Sequence, residues 1–157
     1  MDITIRDIPT TRLAALANDG GPEGFGPTWQ AFFPEAGKQG LMREGVQVAA
    51  IFRLDPSRVD AEGPGAIADY AASATVLAEQ PIAAPLAERI RPAGKYASWV
   101  YQGPFDGLGD AWPTFLKGVA GAGHQVADRD YFEIYLDDPS TTAPENLRTE
   151  LYAPIAS

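Results

Sequence analysis

The 157-residue sequence contains no cysteine and only one histidine, His124. Without thiols the chain can form neither disulfides nor a thiolate nucleophile, which is typical of a protein from a reducing cytoplasm. A single imidazole cannot build a histidine-based metal cluster, and this one follows a glycine-rich stretch and precedes a polar loop. A Ser-His-Asp triad is not indicated there either. We therefore expect no metal and no other cofactor.

Positive charge and long apolar runs are also scarce. Twelve basic residues against 21 acidic residues give a net charge of −9. This balance disfavours nucleic acids and anionic membranes, because binding them requires clustered Lys and Arg. No stretch approaches the roughly 18 apolar residues that cross a bilayer, and the N-terminus lacks the pattern of a signal peptide. We expect a soluble cytoplasmic protein whose acidity permits a cationic small molecule or a basic protein as partner.

What the sequence does contain is an internal repeat with an offset of 83 residues. Residues 51–57 (IFRLDPS) reappear as residues 134–140 (IYLDDPS), and the same offset aligns Trp29 with Trp112. Repeats of this kind define architecture before any local pattern is considered. The repeat predicts one domain over residues 1–157 that consists of two modules, 1–78 and 86–157, joined by a linker at 79–85. Because the pair supplies its own packing partner, we expect a monomer.

Hydrophobic periodicity predicts the same order of elements in both modules. In the first module it predicts a helix around residues 29–36 and strands at 3–8, 12–19, 46–54 and within 66–77. In the second it predicts a helix at 111–119 and strands at 86–91, 95–102, 131–136 and 148–153. Residues 57–65 are polar and indicate a surface loop. The predicted fold is α+β: two strand-strand-helix-strand-strand modules with antiparallel sheets, two main helices, a pseudo-twofold axis and a central cleft.

Glu133 is the strongest candidate for a functional residue. It interrupts an apolar and aromatic strand at residues 131–136, where Tyr131, Glu133 and Tyr135 share one face. We expect the opposite face to pack on a helix, which leaves the Glu133 face to line a site. The repeat aligns Glu133 with Ala50, so the fold does not require a carboxylate here. A desolvated carboxylate among aromatics is a typical site residue, and the alternative is a solvated or ion-paired structural glutamate.

Aromatic residues supply the predicted walls of the site. Trp99 and Tyr101 align with Leu16 and Asn18, so they enlarge the second module without a requirement from the fold. Aromatic rings around a glutamate suit a planar cation. Trp29 and Trp112 match across the repeat, which favours a core position for both. The predicted ligand-binding set is Glu133, Trp99, Tyr101, Tyr135, Phe52, Tyr70, Trp112 and Tyr152.

A second carboxylate, Glu150, occupies a similar place in the last strand. Its approximate counterpart in the repeat is Asp69. Because both modules carry an acid at this point, we interpret Glu150 as structural rather than as part of the site.

Four segments together resemble a known family: residues 94–97 (GKYA), 103–105 (GPF), 131–139 (YFEIYLDDP) and 149–152 (TELY). They are similar to the GyrI-like domain, which is also the effector-binding domain of multidrug-sensing regulators of the AraC and MerR types. The resemblance covers nearly the whole chain. It implies two strand-helix-strand modules around a cleft that binds lipophilic, often cationic molecules beside a buried glutamate. We expect a stand-alone member, since the chain leaves no room for a DNA-binding helix-turn-helix.

The resemblance leaves three functions open. The first is a small-molecule-binding protein with its cleft centred on Glu133. The second is a hydrolase that opens strained cyclopropane rings of DNA-alkylating natural products, with Glu133 as general base and Tyr101 or Tyr135 as proton donor. The third is an acidic protein-binding inhibitor that resembles a gyrase-inhibitory protein.

Overall fold

A computed structural model describes residues 1–156, which form one eight-stranded sheet and three α-helices. The strands are β1 (Thr4–Ile8), β2 (Thr11–Ala17), β3 (Val48–Leu54), β4 (Ile67–Thr75), β5 (Ala87–Arg91), β6 (Gly94–Gln102), β7 (Tyr131–Tyr135) and β8 (Arg148–Pro154). The helices are α1 (Phe25–Lys38), α2 (Val59–Glu62) and α3 (Leu108–Gly121). The predicted α+β class is confirmed. None of these helices combines the length and the apolar character that a membrane span requires.

The sheet is antiparallel throughout, in the order β1-β6-β8-β7-β3-β4-β2-β5. Exchanging β1–β4 with β5–β8 gives the same order, read from the other edge of the sheet. This symmetry is the pattern that a duplication would produce. The duplication itself stays a prediction. At the centre of the sheet β3 pairs with β7, and Glu133 lies directly opposite Ala50. The two positions that the repeat aligns therefore form one cross-strand pair.

Both long helices pack on the same face of the sheet. Phe32 and Ala36 of α1 contact the alanine-rich strand β4, and Phe115 of α3 packs near Leu151 of β8. The Glu133 face of β7 belongs to this helix-covered side, together with Tyr131. The expectation that the opposite face of β7 packs on a helix is therefore wrong.

The opposite face is buried by the curl of the sheet. Phe132 of β7 stacks on Tyr152 of β8 with ring centroids 4.3 Å apart. The guanidinium of Arg91 comes from the edge strand β5 and lies 4.3 Å from the Phe132 ring centroid. An edge strand reaches the middle of the sheet only if the sheet curls strongly. Because both faces are apolar and buried, alternation along β7 could not identify the helix-covered one.

Three further expectations need correction. The sheet is continuous rather than divided between modules, because β3 and β7 pair across the two halves. The predicted loop at 57–65 contains the short helix α2, followed by a 3-10 turn at Gly63–Ala66. Helix α3 begins at Leu108, three residues before the predicted start at residue 111, because a 3-10 turn at Phe105–Gly107 leads directly into it.

The repeated Asp-Pro-Ser motif forms the same turn in both halves. Asp55 Oδ1 accepts hydrogen bonds from the backbone N–H and the hydroxyl of Ser57, at 3.0 and 2.6 Å. Asp138 Oδ1 accepts the same pair from Ser140, at 2.8 and 2.7 Å. The aspartate side chain thus replaces a backbone acceptor in a turn after β3 and again after β7. These motifs therefore have a structural role.

The packing of Leu151 gives a direct test of the core. This side chain is fully buried on the helix-covered face and lies opposite Glu133 on β8. Replacing Leu151 by Ala should lower the free energy of unfolding by about 2–5 kcal/mol, because it removes buried methyl groups and leaves a cavity. Chemical denaturation measures the change. Leu77→Ala is the matched control, since Leu77 is 55% exposed and should change stability by less than about 0.5 kcal/mol. Equal effects of the two substitutions would contradict this packing.

Candidate ligand-binding site

A large cavity lies between the first halves of α1 and α3, above the central strands β3 and β7. Its volume is about 1090 Å³. This is slightly above the range of about 300–1,000 Å³ that is typical of small-molecule sites. Eight aromatic side chains line it: Phe25, Trp29, Phe33, Phe52, Tyr70, Phe105, Trp112 and Tyr135. The walls are therefore suited to an apolar or aromatic ligand.

Helical spacing explains the side walls. Phe25, Trp29 and Phe33 follow each other at intervals of four residues, so α1 directs one aromatic stripe into the cavity. Leu108 and Trp112 repeat the same spacing on α3. Each helix therefore contributes one apolar wall.

Strand alternation supplies the floor. Phe52 and Leu54 of β3 share a face, as do Glu133 and Tyr135 of β7, and all four line the cavity. Tyr70 of β4 extends this floor beyond β3.

Glu133 is the buried polar group of this floor. Its residue exposure is 7%, and each carboxylate oxygen accepts one hydrogen bond. Trp112 Nε1 donates to Oε2 at 3.2 Å, and the Tyr135 hydroxyl donates to Oε1 at 3.2 Å. Burial raises the pKa of Glu133 to about 7, although both hydrogen bonds favour the ionised form. Among residues 1–156, no Lys, Arg or His lines the cavity to balance this charge.

The other carboxylates of the cavity wall are Asp106, Asp137 and Asp138. Asp137 forms a salt bridge of 2.8 Å with Arg148, and Asp138 is held by the Ser140 turn. Both are therefore engaged in local structure, whereas Glu133 is the buried carboxylate. No group of three His, Cys, Asp or Glu side chains within residues 1–156 is arranged to hold a metal ion.

The two matched tryptophans donate to different acceptors. Trp112 donates to Glu133, whereas Trp29 Nε1 donates to the Tyr70 hydroxyl at 2.8 Å. The Tyr70 ring stacks on Phe25 with centroids 3.7 Å apart, and burial raises the pKa of Tyr70 to about 12. Together, Trp29, Tyr70 and Phe25 form the α1 side of the cavity.

Five of the eight predicted ligand-binding residues line the cavity: Glu133, Tyr135, Phe52, Tyr70 and Trp112. Their contact with a ligand stays a prediction. The structure does not bring the other three to the cavity: Trp99, Tyr101 and Tyr152.

Strand order and strand alternation explain these three positions. Trp99 and Tyr101 lie on β6, and β8 separates that strand from β7. Trp99 stacks beside Phe115, and the Tyr101 hydroxyl donates to the Pro104 carbonyl at 2.8 Å. Tyr101 is therefore not placed to protonate a leaving group beside Glu133. Tyr152 lies on the opposite face of the sheet, where its hydroxyl donates to Glu150 Oε1 at 2.7 Å.

Residues that the sequence did not indicate complete the walls. Trp29 and Phe33 line the cavity, although the repeat had favoured a core position for Trp29. The available signal was the aromatic stripe of Phe25, Trp29 and Phe33 on α1. Core packing does not need the whole stripe, since Phe33 is 45% exposed in the structure. Phe105 is 39% exposed and contacts the Tyr135 ring with centroids 5.4 Å apart.

Burial of Glu133 should destabilise the protein above neutral pH. The folded-state pKa of about 7 exceeds the usual glutamate pKa of 4.5, so the folded protein retains a proton that the unfolded chain loses between these pH values. The free energy of unfolding should therefore fall as pH rises through this window. Glu133→Gln should remove this loss and stabilise the protein at pH 8 by up to about 3 kcal/mol, with little gain at pH 5. Thermal unfolding across this pH range measures the difference.

Glu150→Gln is the control for this pH effect. Glu150 lies on the neighbouring strand but on the opposite face, where Arg6 and Tyr152 contact its carboxylate. This variant should show no comparable gain at pH 8. A wild-type stability with no fall between pH 5 and pH 8 would contradict the buried state of Glu133.

Comparison with known proteins gives one family. A family model described as "GyrI-like small molecule binding domain" matches residues 1–156. A search of curated proteins finds no match to this chain.

Several solved structures share this fold, and one of them holds a bound small molecule. The C-terminal domain of EcmrR is similar with a TM-score of 0.75 and 13% identity, covering 99% of this chain and 98% of that one. SAV2435 bound to tetraphenylphosphonium has a TM-score of 0.62 and 12% identity, with 100% and 95% coverage. A hydrolase from Listeria innocua has a TM-score of 0.61 and 16% identity, with 98% and 91% coverage. At these identities the likeness concerns the fold alone.

Proposed function

The chain belongs to the GyrI-like small-molecule-binding domain family, and on this basis we propose that it binds a lipophilic cation in the cavity around Glu133. The observation that carries the proposal is the buried Glu133 carboxylate, which faces an aromatic cavity without a basic side chain in the described lining. An isolated buried charge is costly and persists where another charge or function compensates it. A ligand cation supplies that compensation.

Electrostatics favours a cation over a neutral ligand. The attraction between opposite charges increases as water is excluded, so a cation beside Glu133 gains more here than at the surface. The cavity-lining rings of Trp29 and Tyr135 are only half-buried and add the attraction of their π faces. An anion would meet repulsion from Glu133 and from the aspartates of the wall.

The shape of the cavity favours a bulky, apolar cation. Its volume suits a drug-sized molecule, and its lining is dominated by aromatic and aliphatic side chains. A small hydrated cation would leave most of this surface in contact with water. SAV2435, which shares the fold, was solved with tetraphenylphosphonium, a large cation with four phenyl rings. This precedent makes tetraphenylphosphonium a suitable first probe.

Individual residues then take distinct roles. Glu133 provides the counter-charge, and Trp112 and Tyr135 fix the position of its two oxygens through their hydrogen bonds. Phe52 and Tyr70 form stacked surfaces on the floor, with ring centroids 6.0 Å apart and an interplanar angle of 16°. Phe52 is fully buried and Phe25 covers the Tyr70 ring, so these two rings support the floor of the cavity from below.

Titration calorimetry with tetraphenylphosphonium at pH 8 tests the proposal. Glu133→Gln keeps the size of the side chain and removes its charge, so the affinity should fall at least about tenfold. Glu150→Gln makes the same chemical change on the other face of the sheet and should leave the affinity within about twofold. Equal affinities of wild type and Glu133→Gln would overturn the proposal.

We also propose that the two halves arose by duplication and that the second half acquired the binding carboxylate. The common offset, the symmetric strand order and the identical Asp-Pro-Ser turns support this origin. The pairing of Ala50 with Glu133 places equivalent positions side by side on the cavity floor.

Moving the carboxylate across the pair tests the equivalence of the two positions. Side chains directly opposite in an antiparallel pair are about 5 Å apart, so a glutamate at position 50 can use the space vacated at position 133. The variant Ala50→Glu/Glu133→Ala should recover part of the tetraphenylphosphonium affinity that Glu133→Ala loses. A double variant that folds and binds no better than Glu133→Ala would contradict the equivalence.

A further inference from the structure

Each long helix is preceded by a short loop, and the internal repeat aligns the two loops. The loop before α3 spans residues 103–107, and the loop before α1 spans residues 20–24. Each ends in a 3-10 turn that leads directly into its helix. Both loops contribute to the cavity lining, through Phe105 before α3 and Pro22 before α1. The position of each loop therefore affects the shape of the cavity.

Tyr101 of strand β6 holds the loop before α3. Its hydroxyl donates to the Pro104 carbonyl at 2.8 Å, and the N–H of Gly107 donates to the same oxygen at 3.0 Å. The hydroxyl also fills the space beside two glycines. A Cβ added at Gly103 would lie 2.6 Å from the Tyr101 oxygen, and one added at Gly107 would collide with it. The loop thus curves around a single phenolic oxygen.

Asn18 holds the loop before α1 in the same way, and the repeat aligns Asn18 with Tyr101. Asn18 Nδ2 donates to the Gly21 carbonyl at 3.1 Å, and the N–H of Gly24 donates to that oxygen at 3.0 Å. Gly21 is the counterpart of Pro104, so the accepting carbonyl is equivalent as well. A Cβ added at Gly24 would lie 2.6 Å from Asn18 Oδ1. Two different side chains form the same contact, which indicates that each loop requires a donor from its strand.

We infer that Tyr101 is a positioning residue that holds Phe105 and the start of α3 where the ligand meets them. This role rests on the proposed function, because it concerns a wall that the ligand would contact. The Phe105 ring contacts the Tyr135 ring at an angle of 67°, and Tyr135 donates to Glu133. Trp112, just over one turn into α3, donates to the same carboxylate. Tyr101 therefore acts on the site through the backbone of the loop.

A pair of substitutions isolates the contribution of the Tyr101 hydroxyl. Tyr101→Phe removes this hydroxyl and keeps the ring. Gly107 has a φ of −83°, which alanine adopts without strain, and the three atoms nearest to a Cβ at this position all belong to Tyr101. Gly107→Ala therefore creates a conflict with one side chain. The double variant Tyr101→Phe/Gly107→Ala removes the oxygen that the new methyl group would meet.

Two controls make the same chemical changes outside the described lining of the cavity. Tyr96→Phe removes another hydroxyl of β6 that donates to a backbone carbonyl, that of Pro92 at 3.4 Å. Tyr96 lies on the opposite face of the sheet, in the cluster around Phe132. Gly121→Ala adds a methyl group to α3 at a position that is open with respect to residues 1–156.

Two readouts follow the wall with and without ligand. NMR detects the nuclear Overhauser contact between the Phe105 and Tyr135 rings in the ligand-free protein, and calorimetry measures tetraphenylphosphonium affinity at pH 8. Tyr101→Phe should weaken the ring contact and lower the affinity about three- to tenfold, because one hydrogen bond that positions the wall is lost. Gly107→Ala should remove the ring contact and lower the affinity more than about tenfold. The double variant should return to the level of Tyr101→Phe, and the controls should stay within about twofold of wild type.

A purely structural role of Tyr101 would lower the free energy of unfolding without altering the folded site. Tyr101→Phe would then keep the ring contact and the wild-type affinity, and that result overturns the inference. A double variant that binds or folds no better than Gly107→Ala also overturns it, because the methyl group would then act on something other than the Tyr101 hydroxyl. The ring contact is measured without ligand. The expected loss and recovery of that contact in a protein that binds no tetraphenylphosphonium would therefore refute the proposed function alone.

Discussion

The Glu133 carboxylate lies in an aromatic cavity with neutral hydrogen-bond donors and, in the described lining, without a cation to balance it. Removing this charge from water is costly, and the pKa of about 7 expresses that cost. The protein offsets part of it with one indole N–H and one phenolic O–H, which stabilise the anion but leave its charge available. This uncompensated charge separates the site from an ordinary buried ion pair.

The fold holds this residue at the centre of the molecule. Glu133 lies on one of the two middle strands of an eight-stranded sheet, opposite the small side chain of Ala50. Helices α1 and α3 cover the same face and leave a cavity between their first halves. Because the other face is filled by Phe132, Tyr152 and the guanidinium of Arg91, the strands that carry the site have a packed core behind them. This packing supports strand β7 and thereby the position of the Glu133 carboxylate relative to its two hydrogen-bond donors.

Much of the fold followed from local patterns, because strands and helices here obey their usual periods and several of them end next to Gly or Pro. Strand β7, predicted at residues 131–136, ends one residue earlier in the structure. Glu133 stood out because it interrupts an apolar strand and aligns with Ala50. The helix-covered face of that strand was not predictable from alternation, since the curl of the sheet buries both faces.

The aromatic walls were less predictable, for two physical reasons. Trp99 and Tyr101 differ between the halves, but their distance from the cavity depends on the strand order, which places β8 between β6 and β7. That order is a long-range property without a local signal. Trp29 was assigned to the core because it matches Trp112, yet a cavity between equivalent helices is lined by equivalent residues. Matched positions in a repeat can therefore carry a site as readily as mismatched ones.

The central claim is that a cation takes the place of a proton at Glu133, and proton release on binding tests it most directly. Calorimetric titration with tetraphenylphosphonium at pH 6.5, repeated in buffers with different ionisation enthalpies, counts the protons that leave on binding. With a pKa of about 7, most Glu133 side chains are protonated at this pH. The wild type should therefore release roughly 0.5 to 0.8 of a proton per ligand, and Glu133→Gln should release none. Binding of the cation by the wild type without proton release would contradict the account.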